Sequence, residues 1–478
     1  MSFNKDLLKY TIKVAKENDA NDVIAKLVDN KEYQIRFSNS QIDIFKQWNN
    51  SFLELFLDYK KWYSVGHKIS VVTIQNPTKE KIQTKVANTM KKVKNLPKSL
   101  LYWGMDKRDH TYNKMEGLYD SRIENFSEKA PTLVKSAIKS AKQQGAKNVA
   151  GVLYFGDQKT GVLTGYDNGS TYDTSYYRLT IRSFLDPESS GQDVIAGRDL
   201  SDIEHKFQEA GKNSGKLAKM AKNGEQGKAG NYDLILSPAV GANIFNHLLD
   251  GANPVYIIGG MSCLRGKMNE KIGPDNLTVY DDATRPEGLN SRPFDFEGTP
   301  SQQNPLIENG ELVGLIQNTS SAKIWRLLHI LRLRFWKKFQ TTGNSYLGGV
   351  VDESMGPRLL APIPSNYYYK PGDSSLDKMI EESKNPTLYI TSNWYTRFTN
   401  YAEGSFSTIP RDGMFLIENG EIKKPIRKLR ITETLLGMSK RIQAIGKEIK
   451  QMRWWEVNTP TFIPHIKVKD CRMTAATK

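Results

Sequence analysis

Cysteine is nearly absent from this sequence: 478 residues hold two, Cys263 and Cys471. That excludes a disulfide framework and any cysteine-rich metal cluster. Long hydrophobic runs are also missing, none approaching the roughly 18 residues of a membrane-crossing helix. The N-terminal stretch MSFNKDLLKYTIKVAKEN reads as an amphipathic helix rather than a signal peptide. A soluble, cytoplasmic protein without a transmembrane segment is the expectation. There is no low-complexity tract, and an apolar content of 38% with 18 Phe, 22 Tyr and 8 Trp argues for folded domains over disorder. The length allows two or three domains.

Positive charge is in excess: 68 Lys and Arg against 52 Asp and Glu give a net +16. A basic balance permits a polyanionic partner. The lysines are spread along helical stretches such as 135–147 and 212–222 as solvated faces, however, and no nucleic-acid motif accompanies them. Nucleic acid is therefore the disfavoured partner.

Residues 231–253, NYDLILSPAVGANIFNHLLDGAN, read as a strand, a Ser237-Pro238 turn and a helix with Ile244, Leu248 and Leu249 at helical spacing. His247 lies at the centre of that helix. A zinc helix of the H-E-x-x-H type needs a second imidazole on the same face and a glutamate. His247 is instead followed by Leu248, Leu249, Asp250 and Gly251, and the next histidine is His329. On this pattern His247 is a surface or packing residue.

Before that stretch, a helix at 3–18 precedes an antiparallel meander with strands at 22–28, 33–38, 42–48 and 52–59, separated by turn chemistry at 29–31, 39–40 and 49–51. Helices at 79–93 and 127–144 come next, then strands at 149–155, 159–166 and 174–184 with turns at 156–157 and 167–169, and a polar helix at 199–221. The Lys/Gly/Glu segment 222–230 reads as a linker. In the second half, LIENGEL (306–312) is echoed by LIENGEI (416–422). Each is a strong Asn-Gly hairpin signal, either two ordinary hairpins or two related units of one sheet system or barrel. A final amphipathic helix is expected at 435–449 and a closing strand at 462–468.

Two further features invite chemistry. Asp281, Asp282, Asp295 and Glu297 are close in sequence, and two converging carboxylates could perform acid/base work in an independent hydrolase. An Asp-Asp pair before a Pro turn is equally the mark of a turn and cap. Residues 323–340, KIWRLLHILRLRFWKKFQ, form a basic amphipathic segment that could bury its stripe, dock on a partner or lie on a membrane surface.

An ordered series of phrases carries a family resemblance: Leu236-Ser237-Pro238, SCLRGK (262–267), TVYDD (278–282), FDFEGTP (294–300) followed by LIENGEL, Thr342-Gly343-Asn344, Pro371-Gly372-Asp373 and Thr459-Pro460. Over nearly its whole length the chain resembles the TldD/PmbA family, in its TldE (PmbA) branch. The resemblance implies an α+β fold in two domains. Residues 1–228 would be an N-terminal α+β domain with an antiparallel sheet and helices, and 229–478 a C-terminal β-rich, barrel-like domain with a few helices and a helical insertion at about 323–340. It also implies a heterodimer in which a TldD-like metallopeptidase subunit holds zinc and hydrolyses extended peptide substrates. The family's H-E-x-x-x-H ligands would fall at Asn246, His247 and Gly251, none with the expected residue, and the ligand cysteine is missing before Thr459. Cys471 then reads as a small structural residue. The resemblance thus implies a subunit with no catalytic residue, metal or cofactor of its own, with Asn246, His247, Asp282 and Glu297 as candidate chamber and peptide contacts. A homodimer remains open when the partner is missing. The two alternatives are the carboxylate hydrolase and a basic regulator of nucleic acid or of a nucleic-acid enzyme.

Overall fold

The structure, a computed structural model, describes residues 4–63, 66–331, 339–348 and 359–475. The first half runs α1 (Asp6–Glu17), β1 (Val23–Ser38), β2 (Gln41–Tyr59), β3 (Lys68–Gln75), α2 (Lys79–Val93), α3 (Phe126–Gln143), β4 (Asn148–Thr164), β5 (Thr171–Asp186), β6 (Ser189–Gly197) and α4 (Ile203–Met220). Its six strands form one antiparallel sheet in the order β3-β2-β1-β4-β5-β6. Helix α2 starts where Thr78 accepts a hydrogen bond from the Lys81 amide, satisfying a donor that the first turn leaves free.

Three expected turns are absent. Segments 29–31, 49–51 and 156–157 continue as strand, with Asn30 opposite Asn50 and Lys31 opposite Asp157. β1 is central, paired along nearly its whole length on both sides, so ladder bonds outweigh the local turn preference of Asn, Asp and Gly. The expected turns at Asn39-Ser40 and around Asn168-Gly169 do reverse the chain, with Asn39 and Ser40 at φ of 47° and 64°. β6 had no counterpart in the sequence reading, because its mixed polar run SSGQDVIAG lacks clear alternation.

The second half begins with β7 (Glu225–Gln226), β8 (Gly230–Leu236), α5 (Pro238–Asp250), α6 (Pro254–Ile258), β9 (Val279–Asp282), β10 (Gln303–Glu308), β11 (Glu311–Leu312), α7 (Thr319–Leu331), β12 (Ser345–Gly348), β13 (Leu359–Pro362) and β14 (Tyr367–Tyr369). It continues through α8 (Leu376–Glu381), β15 (Thr387–Asn400), β16 (Ser405–Glu418), β17 (Glu421–Arg427), β18 (Leu429–Thr434), α9 (Leu435–Lys440), β19 (Ile442–Ile445), β20 (Lys450–Trp454), β21 (Val457–Ile463) and β22 (Ile466–Ala475). One sheet has the order β11-β10-β9-β14-β21-β20. In the other, β15 pairs with β8, β8 with β22, β22 with β18, β18 with β16, and β16 back with β15, so the strands close into a ring. An odd number of strands closes only with a parallel pair, which here is β8–β15.

Both Asn-Gly turns are left-handed at each central residue, with φ of 48° and 77° at Asn309-Gly310 and 53° and 77° at Asn419-Gly420. They lie in different sheets, so they are separate hairpins and not one repeated unit. The helix expected over 435–449 stops at Lys440, because Ile442 and Ile445 join the ladder opposite Val468 and Ile466. The 323–340 segment is helical through α7, where Trp325 packs on the core and Leu327 is exposed; the rest of its basic stretch, 332–338, lies outside the described residues.

The two halves share a core. Ile24, Phe56 and Val162 of the first sheet pack with Phe294, Phe296, Leu347 and Leu360.

Candidate functional site

Helix α5 is wedged between the strand ring and the second sheet, so successive residues face different neighbours. Its start is set by Ser237, whose hydroxyl accepts from the Val240 amide at 3.4 Å, and by Pro238 in the first turn. Asn246 faces β21: its amide donates to the Thr459 carbonyl at 3.1 Å and its oxygen accepts from the Thr461 hydroxyl at 2.9 Å. His247 faces β15, where its ring meets Phe398 edge-on at 4.9 Å, and burial lowers its pKa to about 4. Gly251 follows the helix and has no side chain to offer.

These positions do not fit a zinc ion. The Asn246 amide is used at both ends, the imidazole next to it points to an aromatic ring, and the third position has no donor atom. Among the described residues, the one group of His, Cys and carboxylate side chains whose ligand atoms lie within 4.8 Å of one another is elsewhere: Asp22, Asp58 and His67 in the first half. Asp58 accepts from His67 Nδ1 at 2.7 Å, and Asp22 accepts from the hydroxyls of Tyr102 and Tyr166 at 2.7 and 2.5 Å. Burial raises the Asp58 pKa. No sequence spacing flags this group, because the β2–β3 hairpin and the residues leading into β1 bring its members together.

The four carboxylates of 281–297 are buried and act as loop anchors. Asp281 accepts from Asn344 Nδ2 at 2.6 Å and from the Ser365 amide at 2.6 Å. Asp282 accepts from Thr284 and from Gln303 Nε2. Asp295 accepts three backbone amides, those of Glu297, Thr299 and Ser345. Glu297 accepts from the Thr319 amide, leaving its other oxygen without a partner, and burial and then the Asp295 charge push its pKa up. None of the four is among the residues that line the large cavity between the halves.

A large cavity does open between the halves. Its volume is about 730 Å³, and its walls come from the face of the first sheet and from the C-terminal end of α5 with the loops around it. None of Asn246, His247, Asp282 and Glu297 is among its lining residues; Asp250, one helical turn beyond Asn246 and His247, and Thr459, the hydrogen-bond partner of Asn246, are. Asp250 accepts from the Tyr367 hydroxyl at 2.8 Å, and burial raises its pKa to about 6 in spite of that bond. The opposite wall holds Lys26, where burial works against the charge but Tyr346 and Glu54 more than offset it, leaving the pKa raised. Lys26 is paired with Glu54 at 3.2 Å. Sequence reasoning missed Asp250 as a wall residue, since only the fold aims its carboxylate at Tyr367 and the cavity.

Two α+β halves that enclose a chamber beside a helix set between two sheets define the kind of protein this is. Residues 229–475 match the family described as the PmbA/TldA metallopeptidase C-terminal domain, and the chain belongs to that family. It is 26% identical over 245 residues to a metalloprotease of Methanothermobacter thermautotrophicus, covering 51% of this chain and 49% of that protein. It is 27% identical over 260 residues to a zinc metalloprotease TldD homolog of Saccharolobus solfataricus, covering 52% and 53% of the two chains. The chain thus spans about half the length of the curated relatives it matches. In fold the likeness extends over nearly everything. TldE from Thermococcus kodakarensis superposes with a TM-score of 0.79 at 19% identity, over 98% of this chain and 99% of that one. A Thermotoga maritima protein named as a modulator of a DNA gyrase gives a TM-score of 0.79 at 20% identity, over 98% and 100%. The expected α+β fold and TldE-like architecture are those observed.

Proposed function

We propose that this chain is the non-catalytic, TldE-like subunit of a two-subunit cytoplasmic metallopeptidase. A TldD-like partner would supply the zinc and the hydrolytic step, and this chain would close a chamber that holds an extended peptide. The observation that carries the reading is the state of α5: Asn246 tied to β21, His247 turned to Phe398, and Gly251 without a donor. A catalytic zinc needs three protein ligands and an open position for water, and these three helix positions offer one imidazole at most.

Purified alone, the chain should hydrolyse no unstructured peptide, and co-expression with a TldD-like chain bearing an intact H-E-x-x-x-H should yield a stable complex with zinc in the partner. Metal analysis and a peptide-cleavage assay measure this. Zinc bound stoichiometrically by the isolated chain, with cleavage that His247→Ala abolishes, would sink the proposal. Zinc that His67→Ala removes, with no cleavage at any stage, would report the separate Asp22, Asp58 and His67 group and leave the proposal standing.

A further inference from the structure

The chamber between the halves has more positive charge than its surroundings neutralise. Arg178, Arg198 and Arg292 all line it, and among the described residues none has a carboxylate within ion-pair distance. Arg198 is buried and donates to four backbone carbonyls, those of Gly288, Leu118, Ser175 and Leu289. The Arg178 guanidinium lies 5.3 Å from the centroids of both the Tyr154 and Tyr176 rings, and its Nε has no hydrogen-bond partner. Among the described residues, Arg292 donates to the Asn290 carbonyl, at 3.5 Å, while its Nε and Nη2 have no partner. Its charge is felt by the buried Asp281 and Asp295, but at a distance. The carboxylates on the cavity wall itself are Glu32 and Asp250, two against these three guanidinium groups.

Guanidinium groups are always charged and match a carboxylate fork in geometry. Leaving their charges unpaired around a partly closed space carries a desolvation cost unless a ligand supplies the opposite charge. At about 730 Å³ the space falls within the range of ligand pockets, roughly 300–1,000 Å³. We infer that this chamber selects carboxylate-bearing peptide segments, seating an acidic group against Arg178 and Arg292. The peptide character of the ligand rests on the chamber reading above; the selection for negative charge rests on the arginines alone.

The test uses the full purified chain and short fluorescent peptides of one sequence in two forms, one with several Glu and one with Gln in their place, each prepared with a free and with an amidated C-terminus. Fluorescence anisotropy should show the Glu form binding at least about tenfold tighter than the Gln form at low salt, with the gap narrowing as salt rises. A Glu-over-Gln gap in both C-terminal forms would assign the selection to side-chain carboxylates; a free-over-amidated gap without it would assign the selection to the terminal carboxylate, and either supports the inference. Arg178→Gln and Arg292→Gln should each cost about tenfold for the anionic form only, and Arg292→Lys should keep part of it, with far-UV spectra verifying that the variants fold. Equal binding of all four peptide forms would overturn the inference and leave the chamber reading intact. Binding of no peptide in any form would overturn both.

Discussion

His247 and Asp250 lie within one turn of the same helix, and burial moves their protons in opposite senses. With a folded pKa near 4, His247 stays neutral where the unfolded chain, near 6.5, takes up a proton, so stability rises with pH between those values. Asp250, near 6 in the fold against about 4 in an unfolded chain, holds its proton longer when folded, so its contribution is full below about pH 4 and is lost as pH rises through 6. His247→Phe, which keeps a ring against Phe398, should therefore soften the loss of stability on acidification from pH 6.5 to 4. His465, also lowered to about 4 by burial and the Lys450 charge, should retain part of that loss. Asp250→Asn should raise stability at pH 7.5 by roughly 1–3 kcal/mol and give no gain at pH 4. Urea unfolding at a series of pH values measures both, and equal effects at every pH would contradict the assignments. His247 was legible in the sequence as an isolated imidazole. Asp250 was not, because its role depends on Tyr367 far along the chain and on a cavity that no local pattern encodes.

At the scale of elements, local chemistry was legible where the segment is self-contained and illegible where a neighbour decides. Helix α2 begins and ends as its pattern indicates, because its cap and its apolar stripe are both local. Strands β1 and β2 run through Asn30 and Asn50, which read as turns, because pairing with flanking strands holds them extended. The close approach of α3 and α4 shows the same dependence. Gly211 and Gly215 on α4 face Ala137 and Ala141 on α3, and a Cβ built on Gly211 would stand 2.0 Å from the Ala137 carbonyl oxygen. That oxygen belongs to helical backbone and cannot swing aside as a side chain could. Gly211→Ala gains about 1 kcal/mol in helix propensity but forces the helices apart at a cost of roughly 1–3 kcal/mol or more, so the packing term should win. We expect a lower thermal midpoint for Gly211→Ala and almost no change for the exposed Lys216→Ala; a stabilised Gly211→Ala would mean that the helices can separate freely.

For the whole molecule, the question is whether the halves are separable units. The family likeness was legible in an ordered series of phrases, whereas the chamber was not, since Arg178 and Arg292 reach it from different halves. The sequence suggests a boundary near 222–230, yet that segment contributes β7, which pairs in parallel with β17. A buried polar link joins the halves as well: the Asp412 side chain is fully buried and accepts from Arg182 Nε on β5, from the Ser190 hydroxyl at 2.7 Å on β6, and from the Ser392 hydroxyl at 2.8 Å on β15. Together with the shared core around Phe294 and Phe296, this link makes cooperative unfolding the expected behaviour, with one calorimetric transition in which the measured and van't Hoff enthalpies agree. Asp412→Ala would strand the Arg182 charge, and breaking such a buried pair costs roughly 3–5 kcal/mol. Arg182 keeps some exposure, 18% of its side chain, so the lower end of that range applies. If the link couples the halves, the variant should broaden or split the transition as well as lower its midpoint. A wild-type chain that already melts in two steps, or a variant that melts lower but with the same sharpness, would show that the apolar core alone holds the chamber closed.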